Sequence, residues 1–212
     1  MQLYFIRHGK TQWNLEHRLQ GAFGDSPLLL ESYVELRTLS KHLKDIPFEK
    51  IYTSPALRTR KTAQGIYAHL EHPCPIQMEE GLREFGLGQL EGTSFEKASQ
   101  LYPEQMYAFR NDLSRYEPQI FGGESAQDVL NRAKKVVQKA LEENEKGPIL
   151  FVSHGATLTA LVQHLAGQPL DKLRSTGGLH NNSINIMETR NGNLPFELVV
   201  WNDISYLENP SK

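Results

Sequence analysis

The sequence predicts an α/β fold built on a mostly parallel sheet, and three observations carry that reading. Leu3-Tyr4-Phe5-Ile6 and Ile149-Leu150-Phe151-Val152 are unbroken apolar runs rich in branched and aromatic residues, the pattern of strands buried on both faces. Between them, apolar residues recur at helical spacing, so strands alternate with helices as in crossover units. Each run stops at a histidine followed by a glycine, in Arg7-His8-Gly9 and in Ser153-His154-Gly155.

After Gly9 a polar stretch through Gly21 to Asp25-Ser26-Pro27 reads as an irregular loop. From about Glu31 to Leu43, Val34, Leu36, Leu39 and Leu43 mark an amphipathic helix, closed by Pro47. Lys50-Ile51-Tyr52-Thr53 is a short strand. Ser54-Pro55 then reads as a helix start, a hydroxyl N-cap followed by proline at the first helical position. That helix should turn Ala56, Leu57, Ala63 and Ile66 inward and carry Arg58 and Arg60 in its opening turns. Ile76-Gln77-Met78 is a further short strand, and the glycines between Gly81 and Gly88 make a loop.

From Leu90 to Phe121, large apolar and aromatic residues punctuated by Pro103 and Pro118 predict a helical insertion, about residues 88–124. It is either a lid or ordinary helix packing. Ser125 to Glu143 carries one long apolar stripe, with Ser125 and Asp128 resembling a capping box and Gly147-Pro148 ending the helix. A helix from about Ala156 to Leu165 follows the Ile149–Val152 strand. Ser183–Met187 and Leu198–Trp201 form a hairpin around Asn191-Gly192-Asn193. No repeat or linker divides the chain, so residues 1–212 are expected to form one domain.

Hydrophobic content of 39% and charged content of 23% are those of a soluble globular protein. A formal net charge of −2 gives no field for nucleic acid or an anionic membrane, so an anionic partner must be held by a few positioned arginines. The lone Cys74 excludes an internal disulfide and a thiolate metal site. No charged leader or apolar run of ~18 residues appears, and the expected compartment is the cytoplasm. Oligomeric state, monomer or homodimer, stays open.

Crossovers between parallel strands are right-handed, so the strand ends should share one edge and gather Arg7, His8, Arg58, Arg60 and His154 there. Gathered cations repel one another and need an anion. Phosphate matches, because the guanidinium fork binds two of its oxygens and the helix start behind Ser54 adds N–H donors. An imidazole beside a phosphate suggests attack on phosphorus and a phosphohistidine intermediate, with the second histidine donating to the equatorial oxygens. The leaving alkoxide needs an acid. Glu84, in the glycine-rich loop, is the candidate, or else it only pairs with an arginine such as Arg83.

These residues resemble the histidine phosphatase superfamily, the phosphoglycerate mutase-like group. The resemblance rests on Arg7-His8-Gly9, Thr11, Trp13-Asn14, Leu19-Gln20-Gly21, Asp25-Ser26-Pro27-Leu28, Ser54 with Arg58, Leu82-Arg83-Glu84, Gly123-Glu124-Ser125 and Ser153-His154-Gly155. It implies a three-layer α/β/α sandwich, His8 as the phosphorylated nucleophile, phosphate binding by Arg7, Arg58 and His154, and Glu84 as proton donor. Asn14, Gln20, Gly21 and Gly155 match positions lining the phosphate pocket, and Arg60 matches one in some close relatives. Gln20-Gly21, the modest length and Trp201-Asn202-Asp203-Ile204-Ser205 look most like the small broad-specificity phosphatases. The expected activity is therefore histidine acid phosphatase-type hydrolysis of small phosphorylated metabolites, with no cofactor and no metal. Lys10, Leu29 and Ser32 depart from the Glu or Gln, Thr and Gly usual in that group.

Other readings stand beside this one. A phosphoglycerate mutase-type phosphotransferase would return the phosphoryl group to a second hydroxyl, and a non-catalytic protein would only bind a phospho-ligand. His8 and His154 as metal ligands would call for a carboxylate pattern that the sequence lacks.

Overall fold

The computed structural model describes residues 1–208. Six strands, β1 (Gln2–Arg7), β2 (Lys50–Thr53), β3 (Ile76–Met78), β4 (Ile149–Ser153), β5 (Ile184–Glu188) and β6 (Glu197–Asp203), form one sheet in the order β3-β2-β4-β1-β5-β6. Every neighbouring pair from β3 to β1 is parallel, and β5 alone runs against the rest. Register aligns the strand ends: Arg7 lies beside Ser153, and Thr53 beside Val152. The carboxyl ends of β1, β2 and β4 therefore meet in one place, as right-handed crossovers require.

Helices cover both faces of the sheet. Alternate residues of the buried strands point to opposite sides, and each set finds its own helices. Leu3, Phe5, Ile149 and Phe151 pack against α6 (Ala126–Glu143) and α7 (Gly155–Leu165). Tyr4, Ile6, Leu150 and Val152 pack against α2 (Leu30–Leu43), α3 (Leu57–Tyr67) and Tyr206 of α8 (Ser205–Glu208). Three layers result. The rings of Phe5 and Tyr52 stack on Phe151 at 4.9 and 5.5 Å.

The segment 88–124 is helical, with α4 (Phe95–Leu101), α5 (Pro103–Asn111) and short 3-10 turns. Phe85, Phe109, Tyr116 and Phe121 form an aromatic cluster that closes on Val129 and Leu130 of α6. Helix packing accounts for this segment, although Tyr107 stands out in solvent. The Ser125 cap of α6 accepts from Asp128 N at 3.2 Å and donates to its carboxylate at 2.5 Å. The hairpin of β5 and β6 turns where Gly192 takes φ +76°, a conformation costly for other residues. Among the described residues no helix is long and apolar enough to cross a membrane.

Several expectations need correction. Val34 faces solvent, because the buried stripe of α2 runs through Ser32, Leu36, Leu39 and Leu43 and leaves Val34 about 200° from Leu36. Leu57 is also exposed, lying ahead of the stripe Arg58, Thr62, Ile66. Ser54 does not cap α3, whose N-cap is Ala56, because its hydroxyl is taken by His154. The stretch after Lys10 is not wholly irregular: α1 (Gln12–Leu15) is one helical turn held by reciprocal Thr11 and Asn14 hydrogen bonds.

The stacked rings make a prediction. Phe151→Ala should cost about 3–5 kcal/mol in urea unfolding, since it leaves a cavity between two other rings. A loss below about 1 kcal/mol would mean the sheet face is held by something else.

Candidate active site

At the end of β1 the chain turns over the sheet edge, and the His8 N–H still bonds to the Ser153 carbonyl of β4 at 3.0 Å. The His8 imidazole is buried, and its Nδ1 lies 2.7 Å from the Gly9 carbonyl oxygen. A carbonyl can only accept, so Nδ1 carries the ring proton and Nε2 keeps a free lone pair. Gly9 is fixed in turn by its N–H bond to Thr62 Oγ1 of α3. A side chain there would stand 2.3 Å from Ser32 Oγ, so this close approach of β1 to α2 needs glycine.

His154, at the start of α7, sits edge-on to His8 with ring centroids 5.3 Å apart. Its Nδ1 accepts from Arg58 Nε at 3.2 Å, which leaves Nε2–H to donate to Ser54 Oγ at 2.7 Å. Both ring nitrogens are thus engaged. Arg58, wholly buried, donates to the carbonyls of Gly24 and Gly21 at 2.8 and 3.0 Å and pairs with Asp25 at 3.1 Å. Asp25 also accepts the Leu57 N–H at 2.6 Å, capping α3 from another loop. The helix start assigned to phosphate by sequence is therefore already held by a carboxylate.

The same device recurs at α7. Glu84 accepts from Ala156 N at 2.9 Å, from Thr157 N and Oγ1 at 2.8 Å each, and from Phe85 N at 3.0 Å. It does not pair with Arg83, which bonds to Glu80. The backbone carrying Glu84 is clamped by Arg132, which donates to the carbonyls of Gly81, Arg83 and Glu84 and grips Glu124 with two bonds. Arg7 crosses to the far side and donates to the Leu179 carbonyl. A Cβ on Gly155 would stand 2.9 Å from Arg7 Nε, so this glycine makes room for the guanidinium.

These side chains border a cavity of about 220 Å³ lined by Arg7, His8, Asn14, Gln20, Glu84 and Gly155 among others. Arg58, His154, Gly21 and Arg60 are not among its lining residues. Lys10 pairs with Glu31 at 3.6 Å, and Leu29 leaves α2 without a side-chain cap. The lining also includes Arg174, Leu87, Phe109 and Leu179, which sequence reasoning passed over, as it did the Arg132 clamp. A signal existed for Arg174, a basic residue shortly before Gly177-Gly178, as for the other cations beside glycines.

Burial sets the charge states. It pushes His8 well below the ordinary imidazole range, and the Arg58 and Arg7 guanidiniums push the same way. Burial, Arg58 and His8 do the same to His154. Arg7 is lowered to about 10 by burial, with Glu84 opposing the shift, so it stays cationic at neutral pH. Two neutral imidazoles thus sit beside Arg58, which Asp25 pairs, and Arg7, which forms no ion pair among the described residues. The arrangement favours an anion and places an uncharged imidazole nitrogen with a free lone pair beside it.

The comparisons with known proteins agree with this geometry. The family model described as the histidine phosphatase superfamily (branch 1) matches residues 3–204. The chain is 32% identical over 171 residues to a probable phosphoglycerate mutase GpmB of Salmonella paratyphi A, covering 80% of this chain and 76% of that one. Among solved structures, Bacillus stearothermophilus YhfR superposes with a TM-score of 0.89 at 34% identity, over 97% of this chain and 98% of that one. A mycobacterial glucosyl-3-phosphoglycerate phosphatase gives a TM-score of 0.85 at 25% identity, over 95% and 98%. The chain belongs to the histidine phosphatase superfamily, branch 1.

Proposed function

We propose that this protein is a phosphomonoesterase acting on small phosphorylated metabolites through a phosphohistidine on His8. The observation that carries the reading is the bare Nε2 of His8 facing a cavity that also holds Arg7 and Glu84. His8 Nε2 bonds to phosphorus as the ester P–O bond breaks, and the leaving oxygen takes a proton from Glu84 that the bound phosphate monoester, arriving as its monoanion, has delivered to that carboxylate. The imidazole becomes cationic, and its Nδ1–H bond to the Gly9 carbonyl strengthens as charge develops. Water then attacks phosphorus as the P–N bond breaks, gives a proton to the Glu84 carboxylate, and releases phosphate and neutral His8.

In this scheme Arg7 is the direct cationic partner of the phosphoryl oxygens. Asn14, Gln20 and the Gly155 N–H border the same space, while Arg58 adds charge from behind and His154 holds Arg58 and Ser54 in register. Gly21 serves by its carbonyl bond to Arg58, and Arg60 has no part in the scheme. The whole chain acts as one domain, with segment 88–124 as an insertion that walls the cavity through Phe109. The relatives named as phosphoglycerate mutases favour a second reading, transfer of the phosphoryl group back to a substrate hydroxyl.

Phosphate release from a panel of phosphomonoesters tests the proposal, and His8→Ala should abolish it. Incubation with 3-phosphoglycerate, with and without the 2,3-bisphosphate primer, separates the readings. Free phosphate should dominate; dominant 2-phosphoglycerate would establish the transferase instead. Gly155→Ala should displace Arg7 and lower kcat/KM about 10- to 100-fold, the loss of a charge-assisted contact. Unchanged kcat/KM would show that Arg7 does not hold the phosphate.

A neutral nucleophile also has a stability signature. Both folded-state imidazoles lie below their unfolded values, so beneath the unfolded pKa of about 6.5 the unfolded chain binds more protons. Their contribution is complete above that pH and is lost as pH falls toward the folded values. Between pH 7.5 and 5.5, each imidazole should remove up to about 1.4 kcal/mol from urea-unfolding stability. His154→Asn should make that pH dependence shallower, and an equally steep dependence would mean the ring titrates as it does in water.

A further inference from the structure

The Cα of His8 lies between two peptide units, and each unit is held at both ends. In the first, the Arg7 carbonyl accepts from Asn182 N at 3.0 Å while the His8 N–H donates to Ser153 O at 3.0 Å. In the second, the His8 carbonyl accepts from Asn181 Nδ2 at 2.9 Å while the Gly9 N–H donates to Thr62 Oγ1 at 3.1 Å. Neither unit can rotate without giving up a hydrogen bond at each end. Two of the four partners come from one turn, far away in sequence, between α7 and β5.

That turn is itself fixed. Ser183 N bonds to His180 O at 3.2 Å, and Asn182 takes φ +61°, a left-handed conformation that asparagine tolerates better than most side chains. Asn182 Nδ2 donates to Glu35 of α2 at 3.0 Å, the Tyr206 hydroxyl of α8 donates to the Asn182 carbonyl at 2.9 Å, and His180 N donates to Asn202 of β6 at 2.7 Å. Three elements thus hold the turn against the end of β1. From it the Asn181 amide reaches the His8 carbonyl.

The same nitrogen lies 3.4 Å from Asn14 Oδ1, an oxygen that also accepts from Thr11 N and Thr11 Oγ1 at 3.1 Å each. A backbone N–H can only donate, so the atom of Asn14 that faces it is the oxygen, and the NH2 group takes the other side. Asn14 lines the cavity, and its Nδ2 makes no hydrogen bond among the described residues. Thr11 caps the same short turn, so its bonds fix Asn14 to α1 alone. Asn181 supplies the tie from Asn14 to His8, and it is not among the residues lining the cavity. We infer that Asn181 is a positioning residue, whose one amide nitrogen sets the Asn14 NH2 group against the His8 backbone so that both meet the same phosphoryl group. This inference rests on the phosphomonoesterase reading and deepens it.

Inorganic phosphate is the probe, since its binding needs no turnover. Calorimetry should show Asn181→Ala and Asn181→Leu each weakening phosphate about 10-fold, the scale of one hydrogen bond to an anion. Leucine keeps the bulk of the side chain without its donor, so wild-type affinity in Asn181→Leu would overturn the inference in favour of packing. Asn14→Ala should cost a similar factor, and Asn181→Ala added to it should cost no more than about 2-fold further. Independent losses, about 100-fold together, would overturn the coupling to Asn14. A lowered urea midpoint with unchanged phosphate affinity would overturn it too. In the wild type, phosphate should shift the side-chain amide resonances of Asn14 in nitrogen-15 NMR, and resonances that stay in place contradict the inference without any variant. Phosphate binding that depends on both asparagines, in a protein that releases no phosphate from any phosphomonoester, keeps the inference and overturns the reaction. Phosphate release by the wild type, with affinity and kcat/KM untouched in both Asn181 variants, does the reverse.

Discussion

A 2.7 Å hydrogen bond between His8 Nδ1 and the carbonyl of the next residue leaves Nε2 as the ring nitrogen with a free lone pair, on which the proposed reaction depends. Everything else in the site serves to keep that bond in place or to use the lone pair it leaves. Gly9 holds its position because Thr62 on α3 accepts its N–H and because β1 passes too close to α2 for any side chain. β1 itself is locked at the sheet centre, between β4 and β5, by the apolar residues it buries on both faces. The His8 ring is thus positioned by the hydrophobic core through one turn of backbone.

Charge around that nitrogen is arranged with equal economy. Both helix starts at the sheet edge, α3 and α7, are occupied by carboxylates from distant loops, Asp25 and Glu84. Their N–H groups are therefore spent on holding loops, and in the proposed reaction anion binding falls to guanidiniums. Asp25 balances Arg58, which allows that arginine to be buried behind the histidines. Arg7 and Arg174 have no such balance, so the excess positive charge lies in the cavity itself. Burial among these cations keeps His8 and His154 uncharged.

Much of this was legible in the sequence, for reasons that separate what was read from what was not. The apolar runs Leu3–Ile6 and Ile149–Val152 declared buried parallel strands, and the handedness of crossovers then forced Arg7, His8 and His154 to one edge. Ser125 and Asp128 declared the start of α6 because a cap is a contact between near neighbours. Ser54 misled for the opposite reason. Its hydroxyl is claimed by His154, a hundred residues away, and a carboxylate from the 21–25 loop caps α3 instead. Val34 misled because one apolar residue two positions from a stripe looks like part of it until the stripe is located. Arg132 and Arg174 were passed over because their work is to bind carbonyls and border a cavity assembled from several segments.

The central claim is that Nε2 of His8, and no other atom, accepts the phosphoryl group. Rapid mixing with a ³²P-labelled phosphomonoester, alkaline quench and peptide mapping with phosphorus NMR reads this directly. The account predicts an alkali-stable, acid-labile label on His8 with phosphorus on Nε2. Label on Nδ1, on His154 or on a carboxylate, or turnover with no protein-bound phosphoryl group, would contradict it.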